Sequence, residues 1–63
     1  MKEKLLRAGF QLGNDGKLFL ETKRFELRAW EAPTSWRYSW HAKELNQGGA
    51  ANLQNITQLA PYL

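Results

Sequence analysis

His41 is the chain's one histidine, and Ser39 precedes it by two residues, so on a strand the two side chains share a face. A general base beside a hydroxyl is the minimum for nucleophilic chemistry, but a third group must orient the base, and only Glu26 is available for that role. The pair therefore reads as a weak constellation, and an enzymatic role is not expected. One histidine without any cysteine gives no metal-ligand spacing, and disulfide or zinc staples are excluded. Gly13-Asn14-Asp15-Gly16 is too short and too acidic to cradle phosphate, and hairpin chemistry accounts for it. No cofactor is implied.

The residues better suited to function are bases interleaved with aromatics. Alternation over Phe25 to Trp30 puts Phe25, Leu27 and Ala29 on one side and Arg24, Glu26, Arg28 and Trp30 on the other. Carried across neighbouring strands, that parity gathers Phe19, Arg24, Arg28, Trp30, Arg37 and His41 onto one outward sheet face, with Lys17, Glu21 and Glu26. These six are the candidate partner-binding residues. Arg37 is expected across from Trp30, within reach of a cation–π contact, and His41 across from Glu26, where a carboxylate would raise its proton affinity. Glu21 opposite Glu26 is a like-charge conflict that Arg24 or His41 would have to relieve. Two large aromatics among arginines resemble the anchors of binding surfaces.

Trp36, Tyr38 and Trp40 alternate on the other face. Such a stripe can stack nucleic-acid bases, but in a chain with few other large apolar groups it reads as core.

The elements that would carry these residues begin with a helix from Lys2 to Ala8, closed by Gly9 in the left-handed position with Phe10 returning toward Leu5. A hairpin follows, its three-residue loop Asn14-Asp15-Gly16 placing Leu12 opposite Leu18 and Phe10 opposite Leu20. Ala32-Pro33-Thr34-Ser35 turns the chain again, and Trp36 to His41 forms a further strand. After Glu44 none of the last nineteen residues is charged. Gly48-Gly49 reads as a hinge or boundary, and Leu53, Ile56, Leu59 and Ala60 fall on one face of a helix that Pro61 stops. An uncharged helix of this kind is poorly protected against association and forms a second candidate surface. The expected fold class is α+β: a short N-terminal helix, an antiparallel meander of three to four strands, and a C-terminal helix packed on the sheet.

With 63 residues, one core and a single compact domain over 1–63 are expected. Nine bases against six acids give a net charge of +3, which favours anionic partners, although the interspersed carboxylates weaken the long-range field. Neither a signal peptide nor a membrane span is expected, and a cysteine-free chain fits the cytoplasm.

The segment Leu5-Leu6-Arg7-Ala8-Gly9-Phe10-Gln11-Leu12, followed by a hairpin, resembles the start of HicA-type messenger-RNA interferases, whose fold is like a double-stranded-RNA-binding domain. The histidine that such toxins carry just after the first turn is absent here, where Asp15-Gly16-Lys17 stands, so the activity is not carried over.

The expected function is a small non-catalytic inhibitor or regulator that docks on a protein or nucleoprotein complex, acting as monomer or homodimer. In size and style it is comparable to inhibitors encoded by phages and other mobile elements, including anti-CRISPR proteins. The alternative is a basic nucleic-acid-binding module using the outward Arg/Trp face.

Overall fold

In the computed structural model, which describes residues 1–63, the first helix α1 runs from Lys2 to Arg7 and buries Leu5 completely. Gly9, at φ +110°, reverses the chain, with its own N–H donating to the Leu6 carbonyl at 3.1 Å and that of Phe10 to the Leu5 carbonyl at 3.0 Å. Both bonds satisfy carbonyls that the helix end leaves open, and the positive φ suits glycine. Phe10 is thereby delivered into the core, where it is 3% exposed.

Five strands follow in one antiparallel meander: β1 Gln11–Leu12, β2 Leu18–Glu21, β3 Phe25–Glu31, β4 Trp36–Ala42 and β5 Gln47–Leu53, adjacent in sequence order. The first hairpin has the expected parity, with Leu12 opposite Leu18 and Gly16 left-handed at φ +82°. Leu12 itself, at the short margin of the sheet, is exposed. In the next pairs Leu20 meets Leu27, Leu18 meets Ala29, Leu27 meets Trp40 and Ala29 meets Tyr38. Opposed residues share a face, so this register stacks the apolar positions on one side of the sheet.

The C-terminal part departs from the expected helix. Gln47–Leu53 is a fifth strand, and only Ile56–Tyr62 is helical, as a 3-10 helix. Gly48 and Gly49 are therefore not a hinge. A Cβ at Gly49 would stand 3.0 Å from Trp40 Nε1, and one at Gly48 would stand 2.7 Å from the Trp40 carbonyl oxygen. The glycines let β5 lie against β4 where the Trp40 backbone and indole crowd it. The 3-10 helix starts at Asn55, whose side chain accepts from Thr57 N–H while Gln58 Oε1 accepts from Asn55 N–H at 2.9 Å. That reciprocal cap fixes where the chain turns back over the sheet. The fold is thus largely β, with a C-terminal 3-10 helix where an α-helix was expected.

Both helical elements pack on the same side of the sheet. Leu5 of α1 and Leu59 of the 3-10 helix are fully buried in one cluster with Leu18, Leu27, Tyr38 and Leu53. Tyr62 stacks on Trp40 with ring centroids 5.6 Å apart and meets Phe25 edge-on at 5.1 Å. The aromatic stripe belongs to the inner face, with Tyr38 buried and Trp36 and Trp40 half-buried against the cluster. No helix is long and apolar enough to cross a membrane.

Two outcomes are expected from this packing. Leu59→Ala removes a fully buried side chain and should lower stability by about 2–5 kcal/mol, measured by denaturant unfolding. Desolvation, and secondarily the neighbouring Tyr38 phenol, hold the Tyr62 phenol above its ordinary pKa. A group whose folded pKa is raised holds its proton more tightly in the folded chain. Its stabilising contribution is therefore complete below the unfolded value near 10 and declines as pH rises through the folded pKa. Denaturant midpoints should fall across that range, and Tyr62→Phe, which keeps the ring, should flatten the decline.

Candidate functional site

The face opposite the core is built from alternate residues of β2 to β5, and the pairing register sorts them into three rungs. Phe19, Arg28, Ser39 and Ala50 form the central one, Trp30, Arg37 and Asn52 the second, and Glu21, Glu26, His41 and Gly48 the third. Both helical elements lie on the other side, so no element covers these rungs. Phe19 is 39% exposed, Trp30 is half-buried, and Arg28 is exposed with neither a hydrogen bond nor an ion pair.

Five of the six expected residues, Phe19, Arg28, Trp30, Arg37 and His41, are brought together on this face. The sixth, Arg24, falls in the turn between β2 and β3. There its carbonyl accepts from Lys43 N–H at 2.9 Å, and its side chain joins Phe25, Ala42, Glu44 and Leu45 around a separate shallow depression. It sits at the margin because β3 begins one residue later.

The partnerships on the face differ from the expected ones. Arg37 stands opposite Trp30 as the register requires, but its Nη1 donates to Asn52 Oδ1 at 2.7 Å. Lys17 takes the indole instead, with Nζ 4.5 Å from the ring centroid. The reason is reach: β5 offers Arg37 an amide acceptor next door, while Lys17 extends β2 alongside β3 and has no such acceptor. His41 lies opposite Glu26 without forming an ion pair, and its Nε2 sits 3.1 Å from Asn46 Oδ1 in the β4–β5 turn. Asn46 is held there at φ +50°, a conformation asparagine tolerates better than most residues.

The conflict between Glu21 and Glu26 is real in the register and is relieved by Lys43, not by Arg24 or His41. Its ammonium pairs with Glu21 and also donates to the Thr22 carbonyl at 2.9 Å. Lys43 follows β4 directly, so a side chain from two strands away neutralises the end of β2. Sequence order hides that relation.

A shallow depression on the face is lined by Glu26, Arg28, Ser39 and His41, with Trp40 between the last two in the chain. No hydrogen bond joins Ser39 to His41, and no group of three potential metal ligands occurs anywhere in the chain. What the surface offers chemically is a guanidinium with free donors, with Phe19 across the ladder and Trp30 two residues along its strand, a hydroxyl and an imidazole on the neighbouring strand, and carboxylates confined to one end. Such a surface suits planar or anionic groups that stack and accept hydrogen bonds.

Lys17 was expected on this face but not as the partner of Trp30, and Lys43 and the whole β5 contribution were absent from the expected site. For β5 a signal exists: Asn52 between Ala51 and Leu53 continues the inward–outward alternation, but the helical spacing of Leu53, Ile56 and Leu59 outweighs it.

Compared with known proteins, the chain matches no family model, no curated protein and no solved structure, so its function is argued from its own geometry.

Proposed function

We propose that this chain is a non-catalytic docking module, an inhibitor or regulator of the kind mobile elements encode, that binds a protein or nucleoprotein partner through the outer sheet face. The observation that carries the reading is one-sided packing. Both helical elements cover the inner face, while Phe19 and Trp30 flank the unpaired Arg28 on the other. Aromatic and arginine side chains are the residue types that most often dominate interface energies, and a sheet holds them without the entropy cost of ordering a loop. Stability alone does not account for two aromatics on a wet face of so small a chain.

Nucleic acid alone is the second reading, favoured by the alternation of Lys17, Arg28 and Arg37 with Phe19 and Trp30. Glu21 and Glu26 at one end of the face oppose a continuous polyanion, which is why a protein or nucleoprotein surface of mixed charge fits better.

Capture from the native host with the wild-type chain, followed by binding measurements on the recovered partner, tests the proposal. Arg28→Ala and Trp30→Ala should each weaken binding by about tenfold or more while circular dichroism stays unchanged. Unaltered affinity in both variants would overturn the assignment of the face, and loss of folding in Trp30→Ala would show that the indole is structural. Titration of salt against single- and double-stranded probes separates the readings. Binding to free nucleic acid that drops steeply between low and physiological salt supports the second, and no such binding leaves the first.

A further inference from the structure

The two edges of the sheet are unlike. β1 spans two residues, and Phe10 just before it already donates its N–H to Leu5. β5 spans seven, none of them charged, and every residue but Leu53 is exposed. Natural sheets blunt such an edge with lysine, proline, a bulge or a covering loop. This one carries none of these along Gly48 to Ala51.

The direction of each backbone group on β5 follows from the ladder. Antiparallel pairs alternate between hydrogen-bonded and non-hydrogen-bonded positions. The bonds Lys43 N–H to Arg24 C=O and Ala32 N–H to Ser35 C=O, both 2.9 Å, set the phase between β3 and β4. His41, Ser39 and Arg37 therefore turn their groups toward β3, and Trp36, Tyr38, Trp40 and Ala42 turn theirs toward β5. Their partners Leu53, Ala51, Gly49 and Gln47 answer them. Gly48, Ala50 and Asn52 are left pointing away from the sheet. Gln58 Nε2 covers the Asn52 carbonyl at 3.2 Å, and nothing covers the N–H or C=O of Gly48 or Ala50.

We propose that this edge pairs antiparallel with the same edge of a second copy, about a two-fold axis at Gly49, to give one continuous ten-stranded sheet. Gly48 then faces Ala50 of the other copy and Ala50 faces Gly48, so the uncovered groups satisfy one another in four hydrogen bonds. The array is self-complementary, which a two-fold interface requires. Charge also singles out a second copy. Each chain carries +3, yet the residues from Leu45 to Leu63 are all neutral, so two copies meet here without like-charge contact. Between positions 48 and 51 no side chain exceeds a methyl group, so none within that stretch obstructs the approach. Pairing joins the two outer faces across a trough of Ser39, Gly48 and Ala50, with Arg28 and His41 on both sides.

The inference is independent of the partner proposed for the outer face, and its test needs only the purified chain. Sedimentation equilibrium over a wide dilution series should show the 7.3 kDa mass doubling as concentration rises. In the concentrated sample the Gly48 and Ala50 amides should exchange with solvent more slowly than in the dilute one. Ala50→Pro removes only an outward N–H and should give a monomer. Ala50→Lys keeps that N–H and sets two ammonium groups side by side across the axis, and should also dissociate the dimer. A wild-type chain that stays monomeric throughout, or a dimer that survives in the folded Ala50→Lys variant, would overturn the proposal. Pairing of this edge with an extended peptide in place of a second copy would do the same.

Discussion

The indole of Trp40 lies so close to β5 that a Cβ at position 49 would stand 3.0 Å from its Nε1 and force the ring to give way, and much of the molecule follows from this contact. Because glycine yields at that point, β5 reaches β4 in register along its whole length, from Trp36 opposite Leu53 to Ala42 opposite Gln47. The same indole receives Tyr62 at 5.6 Å, which holds down the C-terminal 3-10 helix, and that helix brings Leu59 into the core. A larger residue at 49 would push the indole out of the place where Tyr62 stacks. Strand pairing and helix docking are thus one constraint, carried by a half-buried tryptophan.

That constraint explains which parts of the fold were legible in the sequence. Between Phe10 and His41 the inward positions of each strand, such as Leu18 and Leu20 or Leu27 and Ala29, recur at every second residue, and side-chain parity survives any error of loop length by two residues, so the register of Leu12 with Leu18 and of Trp30 with Arg37 follows from pattern alone. β5 has no such pattern. Gln-Gly-Gly-Ala-Ala-Asn-Leu contains no β-branched residue and no aromatic, and glycine pairs ordinarily mark a break. Its strand character comes from Trp40, a residue on another element, and a one-dimensional reading cannot weigh a contact of that kind. In the candidate site the outward set was legible for the same reason that the register was, whereas the partners were not. Lys17 over Trp30, Asn52 under Arg37 and Lys43 beside Glu21 all depend on which side chain reaches furthest once the sheet exists.

These local pairs also divide the outer face. Arg37 is held by Asn52, Lys17 rests on Trp30, and Glu21 is neutralised by Lys43, all in exposed or half-exposed settings where each pair adds little to stability. Their effect is on availability: Arg28 alone among the cations of the three rungs has no partner within the chain. The face therefore presents one uncommitted guanidinium with Phe19 and Trp30 as its neighbours in the sheet, a more specific surface than net charge implies.

The same asymmetry organises the whole sheet. Its inner face is closed by α1 and the 3-10 helix, its β1 edge by shortness, and the far end of β5 by Gln58, whose carboxamide oxygen also caps the helix that follows. Gln58 thus covers the last outward carbonyl of the free edge where the chain leaves the sheet, and both backbone groups of Gly48 and of Ala50 stay bare. A chain of this size gains little from burial alone, and pairing those groups would add hydrogen bonds without adding residues. The glycines that Trp40 demands for internal packing are the residues that leave the edge bare, so one local requirement shapes both the core and the surface most open to association.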